Sequence, residues 1–175
     1  MPDIKTFHYP SPCGTLVLGS FENFLCLCDW EGSPLFRRNL RTVACCLNAD
    51  FSETSFARMP TVLQMAVGQL NEYFSSRRQI FDLPLIFTGT EFQKAVWRVL
   101  TDIPFGETRT YAAVAAASDN PRGVRAVARA IGANRLSIIV PCHRVIGTDH
   151  SLTGYAGGLP AKHFLLSHEE GIANL

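Results

Sequence analysis

Apolar and polar positions follow one rhythm in the first half of this chain and another in the second. Three short β-prone runs, Ile4 to Tyr9, Thr15 to Ser20 and Phe24 to Trp30, are separated by Pro/Gly-rich and Glu-Asn turns, which predicts an antiparallel meander. Gly32-Ser33-Pro34 precedes a helix to about Leu47, and the polar stretch Asn48 to Arg58 reads as a loop. Pro60 opens a further helix, with Leu63, Ala66, Val67, Leu70 and Phe74 on one face. None of these residues displays chemistry, and the region reads as a scaffold running into a linker over Asp82 to Gly89.

The second half begins with Thr90-Glu91-Phe92-Gln93, a capping box in which Thr90 and Gln93 satisfy each other's free backbone donors. Phe92, Ala95, Val96, Val99, Leu100 and Ile103 form the stripe of the helix that follows, and Pro104 ends it. A short alanine-rich helix is expected from Thr110 to about Ala117. After the break at Ser118-Asp119-Asn120 another is expected from Pro121, capped by Asn120. Two short helices joined by a tight polar turn make a helix-turn-helix candidate. In its second helix Val124, Val127, Ala128 and Ile131 form the inner stripe, and Arg122, Arg125 and Arg129 share another face.

Charge sharpens that picture. The 175 residues carry a net charge of only +1. Between Arg109 and Arg144, however, there are six arginines and one acid, Asp119, so the rest of the chain is net acidic. Such a block suits a local anionic partner such as nucleic acid, or is simply a solvated helix face. No stretch reads as a membrane span, and an N-terminus with Asp3 and Lys5 and no apolar core predicts no signal peptide, hence a cytoplasmic protein with reduced thiols. Five of the six cysteines, Cys13, Cys26, Cys28, Cys45 and Cys46, lack the spacing of a zinc framework and are expected to be buried as small apolar residues.

The sixth stands apart. Ser137 to Val140 reads as an apolar strand leading into Pro141-Cys142-His143-Arg144. A thiol is a good nucleophile only as thiolate, and a neighbouring His or Arg in a rigid setting favours that form. From these residues alone several readings remain open: an inert buried cysteine beside a surface histidine, a cysteine hydrolase acting on a small substrate, and a helix-turn-helix regulator whose cysteine is incidental.

Here the chain resembles the O6-alkylguanine-DNA alkyltransferases, the methylated-DNA-protein-cysteine methyltransferases. Their signature is present as Pro141 to Val145, followed by Ile146. The resemblance runs in order through Phe92-Gln93, Val96-Trp97, Ile103-Pro104, Gly106-Glu107-Thr108, Tyr111, Asn120-Pro121, Arg125-Ala126-Val127 and Ala133-Asn134. It continues to Gly154-Tyr155-Ala156-Gly157-Gly158, Lys162, Leu165-Leu166 and His168-Glu169. In the first half only Ser11-Pro12-Cys13-Gly14 and the strand after it match.

The resemblance implies direct damage reversal on double-stranded DNA containing alkylated guanine. The base is flipped from the duplex and Cys142 takes the alkyl group from O6 irreversibly, with O4-alkylthymine a lesser substrate. By position, His143 is the base, acting through a water, and Glu169 orients it. Tyr111 acts on the leaving guanine, and Asn134 braces the thiol turn. Tyr155, with the backbone of Val145 and Ala156, walls the pocket and reads the base edge. Arg125 fills the vacated stack, with Arg122, Arg129 and Ala126 at the DNA surface. The chain departs from many members at Ala128 (often Gly), Ala156 (Ser in some) and Ser137 (Pro in some). The zinc pattern of some members' first domain is missing.

The expected architecture is therefore α/β. An N-terminal antiparallel sheet with helices, RNase H-like, spans 1–86; a mostly helical DNA-binding and catalytic domain with a winged-helix-like helix-turn-helix spans 87–175. The expected protein is a monomer needing no cofactor and no metal.

Overall fold

The computed structural model describes residues 2–173, without the side chains of Ile172 and Ala173. It separates into two compact units, Met1–Gly89 and Thr90–Leu175, dividing the chain three residues beyond the expected boundary.

In the first unit β1 (Asp3–Ser11), β2 (Gly14–Phe21) and β3 (Phe24–Trp30) pair antiparallel, Ile4 opposite Phe21 and Leu16 opposite Trp30. The stretch expected as a loop instead contains a fourth strand, β4 (Asp50–Glu53), which lies parallel to β1 and gives the order β3-β2-β1-β4. Parallel pairing needs a crossover, and α1 (Phe36–Leu47) supplies it. Asn48 ends α1 in the left-handed conformation (φ 47°), its N–H donating back to the last turn.

Strands β2 and β3 are buried at both parities, so both faces are covered. Ile4, Val17, Cys26, Leu27, Val43 and Ala49 form a core under α1, while α2 (Thr61–Phe74) packs on β1, β2 and β3. The buried side of α2 includes Val62, Gln69 and Tyr73 as well as Leu63, Ala66 and Leu70, so it is rotated slightly from the apolar stripe. Gln69 is buried because its amide pairs with the backbone of Asp82, donating to the carbonyl at 2.7 Å and accepting from the N–H at 2.8 Å.

The cysteines divide. Cys26 and Cys28 are fully buried, and burial pushes the Cys26 thiol up to about 12. Cys45 and Cys46, expected inside, are exposed: the inner line of α1 is Asn39 and Val43, which turns both thiols outward.

In the second unit α3 (Glu91–Thr101) starts at the expected capping box: Thr90 Oγ1 accepts from Gln93 N at 3.2 Å and Gln93 Oε1 from Thr90 N at 3.1 Å. Val96, Trp97 and Leu100 are buried, with Ile103 beyond the helix, while Phe92 and Ala95 are exposed. Thr90→Ala should cost about 1 kcal/mol, read as a lower urea midpoint at unchanged m-value. An unchanged midpoint would show that the box contributes nothing.

Helix α4 (Tyr111–Ala117) is capped by Thr110 Oγ1. The next helix, α5 (Val124–Gly132), starts three residues later than Asn120-Pro121 suggested. Residues 120–123 form a turn closed by Gly123 N donating to Asn120 O at 3.0 Å. A Cβ on Gly123 would lie 2.2 Å from Asn120 Nδ2, so the helix opens from glycine and Arg122 falls in the turn before it. Trp97 Nε1 donates to Ala130 O at 2.7 Å and fastens α3 to α5. A parallel pair, β5 (Arg109–Thr110) with β6 (Val145–Ile146), and α6 (Leu159–Ala173) complete the unit. Among the described residues no helix is long and apolar enough to cross a membrane.

Candidate active site

The run Ser137 to Val140, expected as a strand, folds back on itself. Ile138 takes a left-handed conformation (φ 71°), closed by Ile139 N donating to Ser137 O at 2.8 Å. For a β-branched residue this is strained, at about 1–3 kcal/mol. Val140 N donates to Leu136 O and Cys142 N to Val140 O, each at 2.8 Å, before the 3₁₀ turn Cys142–Arg144.

Asn134 holds the two limbs together. Its Nδ2 donates to Val140 O at 2.9 Å and to Cys142 Sγ at 3.2 Å, and its Oδ1 accepts from Leu136 N at 3.0 Å. Backbone groups in so buried a turn need partners, and one side chain supplies two of them. The same amide gives the cysteine sulfur a hydrogen-bond donor.

His143 is fully buried, with Nε2 2.7 Å from Glu169 Oε1. Burial alone would raise the Glu169 carboxyl, but hydrogen bonds and charge from His143 and Arg144 hold it well below the usual carboxylate range. An ionised carboxylate only accepts, so Nε2 carries the proton and Nδ1 keeps its lone pair. That nitrogen is buried and, among the described residues, meets no hydrogen-bond partner. Burial lowers the imidazole's pKa, assisted by the charges of Arg144 and Lys162 and opposed by Glu169. His143 is thus neutral at pH 7, as a base must be.

Two further residues are tied to this machinery. Arg144, counted with the surface block in the sequence, is buried and binds Glu169 through two nitrogens, Nε to Oε2 at 2.8 Å and Nη2 to Oε1 at 2.9 Å. Lys162, with no exposed surface, donates to Val145 O at 2.6 Å and Thr153 O at 3.1 Å, and its ammonium lies 5.8 Å from the centre of the Tyr111 ring. A lysine and an arginine inside an apolar core are costly unless bonded. The sequence offered no cue to their burial except their place among the family matches.

Cys142 opens onto a cavity of about 520 Å³ that also meets Tyr111, Arg125, Asn134, Tyr155 and Ala156. Val124 and Ala128, expected in the inner stripe of α5, line this cavity. Val145 does not: its side chain is buried and its carbonyl is engaged by Lys162. The Tyr111 hydroxyl donates to Thr153 O at 2.9 Å, and burial, outweighing this bond, raises its pKa, so the phenol keeps its proton at pH 7. Arg125 reaches the cavity from an exposed position on α5; Arg129 and Ala126 are exposed on the same helix and Arg122 in the turn before it. Because Arg135 and Arg144 are buried, the surface block has four arginines, not six, and one of these, Arg109, pairs with Glu107 at 3.2 Å.

The sequence model for the 6-O-methylguanine DNA methyltransferase DNA-binding domain matches residues 91–171. A methylated-DNA–protein-cysteine methyltransferase of Methanosarcina barkeri is 54% identical over 105 residues, 60% of this chain and 66% of that protein, so this alignment spans just under two thirds of the relative. The Haemophilus influenzae protein of the same name is 37% identical over 172 residues, 93% of this chain and 84% of that one. The crystal structure of Mycobacterium tuberculosis OGT in complex with DNA superposes with a TM-score of 0.78 at 35% identity, covering 97% of this chain and 94% of that one. A thiol at the wall of a cavity, followed by a buried histidine paired with a carboxylate and lying within a segment that matches a DNA-binding domain, defines a class of proteins with a reactive cysteine for nucleic-acid chemistry. Within it, the chain belongs to the methylated-DNA–protein-cysteine methyltransferase family.

Proposed function

We propose that this protein repairs DNA by moving the alkyl group of O6-alkylguanine, and less readily of O4-alkylthymine, to Cys142, once per molecule. The observation that carries the reading is the cysteine itself: Sγ faces a base-sized cavity, held by Asn134 and backed by His143 and Glu169. A water relays the thiol proton to His143 Nδ1. The Sγ–C bond then forms as the C–O6 bond breaks, its electrons pass into the guanine ring, and Tyr111 meets the developing charge. A thioether has no route back through water, so no second turnover follows. Incubation with O6-methylguanine duplex should add about 14 Da to the Cys142 peptide, methyl replacing hydrogen. An adduct elsewhere, or none, would reject the reading.

The partner is double-stranded DNA carrying the lesion, with the flipped base between Tyr155, Ala156 and α5 and with Arg125 in the vacated stack. Arg122, Arg129 and Ala126 lie along the backbone, and the protein acts as a monomer without cofactor or metal. The strand order β3-β2-β1-β4 with its α1 crossover supports an RNase H-like first unit, and α4 and α5 beside the β5–β6 pair support a winged-helix-like second one.

Tyr111 must turn from Thr153 to the substrate. Lys162 makes this cheap, because it continues to bond the Thr153 carbonyl once the phenol leaves. Tyr111→Phe should therefore slow transfer by about a hundredfold or more, in the range of a general-acid contribution, with affinity for undamaged DNA unchanged within about threefold. Single-turnover rates and a binding titration read both. Lost affinity with an unchanged rate would remove Tyr111 from the chemistry.

A further inference from the structure

The reading above leaves Arg144 without a part, although few side chains in the unit are so completely engaged. Beyond its fork on Glu169, its Nη1 donates to Ile103 O at 2.6 Å and its guanidinium lies 5.8 Å from the Phe105 ring centre, so the residue just past α3 and the aromatic beside it fix its position. Glu169 Oε1 accepts from both His143 Nε2 and Arg144 Nη2, and Oε2 from Arg144 Nε.

We infer that Arg144 is a positioning residue that sets the tautomer of His143: by donating to both oxygens of Glu169 it keeps that group an acceptor, so His143 gives its proton from Nε2 and holds Nδ1 open for the thiol proton. A neutral carboxyl at Glu169 would carry a hydrogen pointing at one of three N–H donors. Without Arg144 two of those donors vanish, and the buried acid, about 1% exposed, gains by taking a proton. It would then donate to Nε2, the imidazole hydrogen would move to Nδ1, and the nitrogen needed as a base would become a donor. A second group thus orients the orienter, as carboxylates do behind metal-bound histidines. The other titratable groups around the pair are Cys142 in the same turn, Lys162 on α6, and Glu170 and His150, which share a separate cavity of about 480 Å³ with Glu169. Lys162 acts on the imidazole in the same sense as Arg144, but its ammonium is committed to the carbonyls of Val145 and Thr153 and has no fork to offer a carboxylate.

The test uses the full chain without substrate, by nitrogen NMR of the His143 ring, and then single-turnover transfer from free O6-alkylguanine base across pH. This inference rests on the alkyl-transfer reading for its kinetic arm only. In the wild-type protein the ring should be protonated at Nε2 alone. Arg144→Met should move the proton towards Nδ1 and slow transfer about 10–100-fold near pH 7, a typical effect of losing such a partner. It should also move the acid limb of the rate to lower pH, because a neutral Glu169 no longer supports the imidazolium, and that support is larger than the opposing effect of the Arg144 charge lost with it. Arg144→Lys keeps the charge but not the fork, so it should retain the position of the acid limb better than the rate, and it serves if the Met variant does not fold. A wild-type ring protonated at Nδ1, or a folded variant with unchanged tautomer and profile, would overturn the inference. Failure of the wild type to take any alkyl group would instead overturn the proposed function and leave the tautomer result standing.

Discussion

Cys142→Ser should lose transfer by at least about a thousandfold, the scale on which enzymes lose activity with their nucleophile, while undamaged DNA still binds within about threefold because the exposed arginines are untouched. A serine hydroxyl in the same turn would still receive the Asn134 amide and still face His143, but it lacks the soft, readily ionised sulfur. The wild-type protein should stop at one equivalent. Location of the adduct adds a second criterion. Cys142 is only 7% exposed, whereas Cys45 and Cys46 are open to solvent. An alkylating agent acting without recognition would mark those two first. Adduct confined to Cys142, formed from the lesion in DNA, shows that the cavity delivers the reacting carbon. Several equivalents repaired per molecule would favour a hydrolase, and DNA binding with no adduct a regulator. A regulator gives no use to a buried His143–Glu169–Arg144 chain behind the thiol, and a hydrolase of small substrates gives none to the exposed Arg125 beside the cavity.

What could be read beforehand divides by the distance over which each feature is determined. The capping box was legible because Thr90 and Gln93 satisfy each other within one turn, and the antiparallel meander because each of its strands is bounded by its own turn. Strand β4 was not, since four residues become a strand only by pairing with β1, 47 positions away in the chain. The start of α5 was misplaced by a sound local rule, Asn then Pro, that lost to the close approach of Gly123 to Asn120. The apolar run before Cys142 looked like a strand because its hydrophobicity is continuous. Its backbone partners come instead from the Asn134 side chain and from bonds within the turn itself.

Arg144 shows the same limit for the site. Beside five other arginines it read as surface charge, and only its pairing with Glu169, 25 residues on, shows otherwise. The chemistry-bearing residues Cys142, His143, Tyr111, Asn134 and Glu169 could be named because the family match supplied them. Composition and spacing alone stopped at a cysteine beside a histidine.

Arg125→Ala should separate recognition of a flipped base from the chemistry done on it. Arg125 is exposed yet lines the cavity, and among the described residues it has no ion pair that would assign it a structural task. Its guanidinium is flat and rich in donors, suited both to lying between bases and to facing an orphaned partner. Extruding a base costs a few kcal/mol, and a side chain in the gap repays part of that. At about 1.4 kcal/mol per tenfold, losing it should slow transfer from duplex DNA by about a hundredfold. A free O6-alkylguanine base needs no flipping, so its reaction with Cys142 should change by less than about threefold. Arg125→Lys keeps the charge without the plane, and it should recover affinity for undamaged duplex better than it recovers the duplex rate. Equal losses on duplex and free base would mean that Arg125 shapes the cavity rather than the DNA, and full recovery by lysine would mean that its charge alone matters.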